Sequence, residues 1–204
     1  QDLDDSLDPY QMTAAGTREV MFNVFEGLVK PDSSGNYVNA VASDVSVSED
    51  GLTYVFTLRD NVVFHNGAVC TPDDVLYSFE TCAATSVTSA VVEALSAVTS
   101  MTADGNQITM VLSAPNSDFL SYVASVYIVP AGYTEQATQP VGTGPFKFVS
   151  RSVQENIILE KHDEYYGEPA HLDKVTYKIY EDNTALFTAL DSGALDLVAH
   201  LTID

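Results

Sequence analysis

Between Thr17 and Leu28 the apolar residues Val20, Met21, Val24, Phe25 and Leu28 recur at spacings of three and four. That period predicts a helix with one buried face and Thr17 as its N-cap. Upstream, Leu7-Asp8-Pro9-Tyr10 reads as an extended or turn segment, because Pro9 pushes Asp8 out of helical geometry. Ser33-Ser34-Gly35-Asn36 is a turn, and the period then changes to two. Val45 and Val47 alternate, and Ser48-Glu49-Asp50-Gly51 turns the chain. Tyr54, Phe56 and Leu58 then point to one face, with Val55, Thr57 and Arg59 on the other. Val62–His65 is a short strand ending at Asn66-Gly67.

Helical spacing returns at Thr71-Pro72-Asp73-Asp74, where a capping threonine, a proline at the first helical position and a carboxylate three residues on make a helix start. Val75, Leu76, Phe79 and Cys82 are its expected buried stripe. A second helix is expected over Ala90–Val98, a turn at Ala103-Asp104-Gly105-Asn106, and a strand over Gln107–Leu112. Asp118–Ala124 reads as a short helix and Val126–Val129 as a strand stopped by Pro130. Pro140–Phe148 is a glycine loop entering a strand, and Asn156–Lys161 and Val175–Tyr180 are strands. Thr184–Asp191 is a helix closed by Ser192-Gly193, and Leu195–Ala199 is a last apolar strand. Hairpins in the middle and strand–helix–strand at the end predict α/β or α+β with a hairpin-rich insertion. Phe56, Leu58, Val75, Phe79, Ile108 and Met110 are the expected centre of that insertion's core.

Composition narrows the function. The 204 residues hold 8 Lys+Arg and 29 Asp+Glu, a net charge of −21, and are 46% hydrophobic, so a packed core is within reach. Phosphate contacts need clustered Lys and Arg, so nucleic acid is disfavoured as a partner, and anionic membrane surfaces with it. The longest nearly apolar run, Tyr122 to Tyr133, falls short of the roughly 20 residues that span a bilayer. No signal peptide is visible. Cys70 and Cys82 flank one predicted helix, about 15–18 Å apart along its axis, and read as two separate thiols.

Chemistry-bearing patterns are sparse. His65, His162, His171 and His200 do not fall at metal-ligand spacings, and read as surface or strand-end residues, so no metal site or cofactor is expected. Gly142-Thr143-Gly144 lacks the Lys-Ser/Thr and the helix of a phosphate loop; Pro145 and a strand follow, which suits a tight turn. No Gly-x-Ser-x-Gly elbow occurs. Tyr165-Tyr166-Gly167 and Tyr177 with Tyr180 read as core or sheet packing, with a ligand platform as the lesser reading.

Seven stretches, in order, resemble the family 5 extracellular solute-binding proteins, the dipeptide-, oligopeptide- and nickel-binding components of ATP-binding-cassette importers. They are Ser6–Pro9, Phe25-Glu26-Gly27-Leu28, Glu49–Arg59 running into Val62–Gly67, Thr71–Phe79, Pro140–Phe146, His162–Gly167 and Leu190–Asp196. Cys70 departs from the pattern, since the family seldom has cysteine there. The resemblance implies a type II periplasmic-binding-protein-like lobe, a mixed sheet flanked by helices, with an inserted hairpin-rich α+β subdomain. It implies a core made of residues 1–25 and 131–204, the insert at 26–130, and a second lobe absent from this chain. Family members are about twice this length or more, and begin with a strand where only Gln1–Ser6 stand here, so the chain resembles a trimmed first lobe.

The function so implied is capture without catalysis: a small solute, first an oligopeptide, held between two closing lobes and read by the importer's permease subunits. The protein would act outside the cytoplasm, in the periplasm or on the outer cell face as a lipoprotein, as a monomer and without nucleic acid. An acidic α/β hydrolase, or a sensor or adhesion module with the same fold, is the alternative. The expected ligand edge comprises Thr13, Ala14, Gly16, Arg18, Tyr127, Val129, Gly142, Thr143 and Gly144. These are loop or strand-end positions, where an open α/β sheet leaves polar backbone groups free. Arg18 is one of only eight basic residues and suits a ligand carboxylate.

Overall fold

The structure is a computed structural model, and residues 5–198 are described. The chain alternates strands and helices in the order α1 (Ala15–Met21), β1 (Val29–Pro31), β2 (Tyr37–Asn39), β3 (Ala42–Val47), β4 (Thr53–Leu58), α2 (Pro72–Thr85), α3 (Ser89–Ser96), β5 (Val98–Asp104), β6 (Gln107–Leu112), α4 (Phe119–Val123), β7 (Phe146–Ser152), β8 (Asn156–Lys161), β9 (Lys174–Lys178) and α5 (Asn183–Asp191). Three sheets result: the ribbon β1-β2, a four-stranded sheet β3-β4-β6-β5 and a three-stranded sheet β7-β8-β9. Every strand pair among the described residues is antiparallel.

The four-stranded sheet follows from the period of two. Tyr54, Phe56 and Leu58 on β4 are buried, and so are Ile108, Met110 and Leu112 on β6. Phe56 faces Ile108 and Tyr54 faces Met110 across the ladder. Cross-strand pairs of aromatic and branched side chains are what hold such a register. Helix α2 lies against this sheet through β5. Its buried residues are Asp74, Val75, Ser78, Phe79 and Cys82, with Leu76 half-buried, so the expected stripe is present. The capping box is also formed: Asp74 Oδ2 accepts from Thr71 N–H at 2.7 Å and from Thr71 Oγ1–H at 2.8 Å. The other carboxylate oxygen of Asp74 accepts from Ala131 N–H at 2.8 Å, tying the helix start to the returning chain.

Several expectations need correction. Helix α1 starts at Ala15, with Ala14 as N-cap, and ends at Met21. Thr17 lies inside it, and its buried hydroxyl has no hydrogen-bond partner among the described residues. Val24, Phe25 and Leu28 are buried as expected, but from a turn and an extended segment rather than a helix. The reason is the following backbone: Gly144 N–H and Phe146 N–H donate to the carbonyls of Val24 and Asn23, at 2.9 and 3.1 Å, so those carbonyls serve another strand. Val126–Val129 joins no strand among the described residues: Val126 N–H bonds back to the Val123 carbonyl at 3.1 Å, and Ile128 N–H donates to the Glu26 carbonyl at 2.9 Å. Val62–His65 reduces to a single bridge between Val63 and Val69. Strand β5 replaces the end of the helix expected over Ala90–Val98 and the first residues of the turn after it. Leu195 to Val198 form no strand, and Ala199 and His200 lie outside the described residues. Gly193 does close α5, at φ +75°, a conformation that side-chain-bearing residues seldom adopt.

The buried apolar residues form one cluster that runs from Leu7 through α1, the four-stranded sheet and α2 to Ile157 and Leu159 on β8. Both cysteines are buried free thiols, and burial pushes Cys70 up to about 12 and Cys82 up to about 11. Thiols held this far from ionisation are inert packing groups.

Candidate functional site

Of the residues expected at the ligand edge, Thr13 and Arg18 are exposed and Ala14 and Tyr127 are half-buried. Gly16, Val129, Gly142, Thr143 and Gly144 are buried. Three groups of contacts hold them.

The first surrounds the entry to α1. The Asp5 carboxylate accepts from the N–H groups of Thr13 and Ala14, both at 2.8 Å, and from the Thr13 hydroxyl at 3.0 Å. Burial opposes ionisation, but these donors together outweigh it and hold Asp5 below the usual carboxylate range. One turn on, Arg18 donates to the Met12 carbonyl through Nε at 3.3 Å and Nη2 at 2.9 Å. Among the described residues no carboxylate pairs with Arg18. Burial raises the Tyr127 phenol, and the nearby Arg18 charge partly offsets it, so the two side chains share one neighbourhood.

The second group locks the glycine loop. A Cβ on Gly142 would collide with the Val24 carbonyl and the Phe25 ring, and one on Gly144 would sit 2.6 Å from the Asn23 oxygen and 2.7 Å from the Val24 oxygen. The tight turn read from the sequence is therefore a close backbone approach. Phe25 in turn stacks on Tyr127, with ring centroids 5.7 Å apart. The Tyr127 carbonyl accepts from Tyr10 Oη–H at 2.6 Å. Val129 lies to one side: its N–H donates to Ser78 Oγ on α2 at 2.9 Å.

From the other side His65 grips the same loop. Its N–H donates to the Gly142 carbonyl at 3.1 Å, Gly142 N–H donates to Nδ1 at 3.2 Å, and Nε2 lies 2.9 Å from the Gly144 carbonyl. Its ring meets that of His162 edge-on, at 4.8 Å between centroids, and His162 Nε2 lies 2.9 Å from the Val63 carbonyl. These two histidines correct the surface reading: His65 does end a short extended segment, but its ring turns inward, and His162 is buried. Burial pushes His65 down to about 3. His171 is exposed, as expected. No group of three His, Cys, Asp or Glu among the described residues could hold a metal.

A third constellation was not foreseen. Glu26 is 6% exposed. It accepts from Lys30 Nζ at 2.7 Å, from Tyr165 Oη–H at 2.7 Å and from Tyr166 Oη–H. Arg59 lies over the Tyr166 ring at 5.2 Å. Burial works against the Lys30 charge, yet Glu26 beside it holds Lys30 above its usual range. Burial and the Glu26 charge raise Tyr166 well above the ordinary phenol range. The signal was present in the sequence: an acid inside the apolar run Val24–Leu28 has to find partners once buried. A cleft of about 250 Å³ lies between this constellation and Tyr127, lined by Phe22, Asn23, Phe25, Lys30, Ala124 and Pro145 among others.

The arrangement presents an exposed arginine, an aromatic wall and rigid backbone. Residues 36–204 match the profile of the bacterial extracellular solute-binding proteins, family 5. The glutathione-binding protein GsiB of Pectobacterium atrosepticum is 29% identical over 92% of this chain and 38% of its own length. The nickel-binding periplasmic protein of Escherichia coli is 26% identical over 86% of this chain and 35% of its own. Among solved structures, the periplasmic binding protein DppA from Helicobacter pylori, in complex with peptide STSA, superposes with a TM-score of 0.86 at 29% identity, covering 93% of this chain and 43% of that one. The chain thus spans little more than a third of the length of the curated relatives it matches. Its lobe has the type II periplasmic-binding architecture of these binding proteins. The chain belongs to family 5 of the bacterial extracellular solute-binding proteins.

Proposed function

We propose that this chain is the first lobe of the solute-binding component of an ATP-binding-cassette importer. Residues 1–25 and 131–204 form the lobe core, and 26–130 the inserted subdomain. The solute is a small molecule, first an oligopeptide, held between this lobe and a second one and handed to permease subunits outside the cytoplasm by a monomeric, membrane-anchored or periplasmic protein. Thr13, Ala14, Arg18 and Tyr127 face the solute, while Gly16, Val129, Gly142, Thr143 and Gly144 hold the backbone beneath them. The observation that carries this reading is the family match over residues 36–204, in a chain covering only 38% of its glutathione-binding relative.

Capture in such a design is an equilibrium. The solute binds the closed arrangement of two lobes better than the open one and shifts the population toward it. A single lobe offers one wall of the cleft and has no closed state to select. Losing half of a micromolar binding energy, about 8 kcal/mol, leaves millimolar affinity. Titration calorimetry of this chain with peptide STSA, beside the same lobe joined to a second one, is the test. Millimolar or weaker binding to the chain and far tighter binding to the two-lobed protein are expected. Submicromolar binding to the chain alone would place the whole site within these residues and overturn the reading.

A further inference from the structure

We infer that His65 is a positioning residue for the ligand wall: a neutral imidazole, protonated on Nε2, that fixes the Gly142–Gly144 loop and through it the aromatic wall at Phe25 and Tyr127. The inference deepens the proposed function and rests on that reading for its ligand.

The tautomer follows from the partners. A backbone N–H can only donate, so Gly142 N–H at 3.2 Å makes Nδ1 the acceptor. The single ring proton is then on Nε2, and the Gly144 carbonyl at 2.9 Å can only accept it. With its own N–H on the Gly142 carbonyl, His65 bonds the loop three times, across 77 and 79 residues of sequence. A protonated ring would lose the Gly142 bond, because Nδ1 would then carry hydrogen toward another donor. The surroundings favour the neutral form. His162 faces the ring from the His162–Gly167 segment, Lys147 acts on it from β7, and no carboxylate figures among the groups acting on it.

The loop transmits the constraint. Its far side is pressed onto the Asn23 and Val24 backbone and the Phe25 ring, with Gly144 N–H on the Val24 carbonyl and no room for a Cβ at Gly142 or Gly144. Phe25 carries the Tyr127 ring. Displacing the loop therefore moves Tyr127, and the turn that ends α1, the helix bearing Arg18.

The test compares His65→Leu with His65→Gln in the 204-residue protein. A glutamine amide offers one acceptor and one donor, as the ring does, and leucine offers neither. Hydrogen exchange at Gly142 N–H is read against Ile157 N–H in β8 as a reference for global stability. His65→Leu should speed Gly142 exchange about tenfold relative to Ile157 and shift the Tyr127 resonances, and His65→Gln should restore both to near wild type. Equal behaviour of the two variants, or unchanged Gly142 protection in His65→Leu, overturns the inference. Should His65→Leu not fold, the wild-type imidazole decides by nitrogen-15 NMR. A neutral ring protonated on Nε2 from pH 7 to pH 5 supports the assignment; an Nδ1-protonated or cationic ring there overturns it. Peptide STSA at millimolar concentration is added to wild type as a separate arm. If the resonances of Arg18 and Tyr127 do not move, the proposed ligand edge falls, whereas the exchange result tests His65 by itself.

Discussion

Gly144→Ala adds one methyl group where the backbone leaves none. The nearest atoms to that methyl are the carbonyl oxygens of Asn23 and Val24, at 2.6 and 2.7 Å, and the Val24 carbonyl carbon at 2.8 Å. They are peptide atoms of a buried turn and cannot swing aside as a side chain would. The two segments must part, and overpacking of this kind costs about 1–3 kcal/mol. Parting them also lengthens Gly144 N–H to Val24 at 2.9 Å, and an orphaned buried backbone pair adds about 1–3 kcal/mol. The expected loss is about 2–6 kcal/mol, or roughly 4–24 °C in Tm for a domain of this size. Gly35→Ala is the control. Nothing lies within 4 Å of a Cβ there, and only its φ of +83° opposes substitution, at about 1–2 kcal/mol. Urea unfolding of both variants measures the difference. A Gly144→Ala loss below about 1 kcal/mol, or one no larger than that of Gly35→Ala, would refute the close approach of the loop to the α1 turn.

Two further outcomes are expected. His65 has a folded-state pKa of about 3 against 6.5 unfolded, so the unfolded chain binds the extra proton between those values and stability falls as pH drops through that window. The relation gives a loss of about 2.5 kcal/mol between pH 7 and pH 4.5 that should vanish in His65→Gln; urea unfolding at the two pH values with parallel losses in both proteins would refute it. Glu26→Ala leaves Lys30 and two phenols without their acceptor and should cost about 3 kcal/mol, at the low end for a buried pair because Lys30 is partly exposed; thermal unfolding within about 1 kcal/mol of wild type would show the network to be idle.

Local signals were legible where one rule acted alone. The bounds of β6 and β8 match the alternation of Ile108, Met110 and Leu112 and of Ile157 and Leu159. The capping box of α2 was readable at Thr71 and Asp74 because capping needs only four neighbouring residues. Reading failed where a distant backbone competed. The spacing of Val20 to Leu28 is helical, yet Gly144 in the glycine loop and Phe146 at the start of β7 take the carbonyls that a longer helix would have used. Val98–Asp104 has little alternation, and its partner β6 makes it a strand. The ribbon β1-β2 was missed because its strands have three residues each, too few to show a period. At the site, the glycine loop and Tyr127 were singled out from sequence, but their holders were not. His65 and His162 are 97 positions apart, and Glu26 and Tyr166 are 140 apart, so spacing rules had nothing to register.

The Ile128 N–H donates to the Glu26 carbonyl, so the two ends of the stretch between them lie side by side. A turn in that stretch that carries none of its ties to the rest of the chain is nearly indifferent to its own length. The entropy of closing it grows only with the logarithm of its residue count, about 0.6 kcal/mol for each doubling. Residues added or lost at exposed turns within the excursion, such as Asp32–Asn36 or Asp104–Asn106, therefore leave the register of the returning chain unchanged. Such turns can lengthen or shorten while the ties made by His65, Asp74 and Ser78 keep the walls on either side in place.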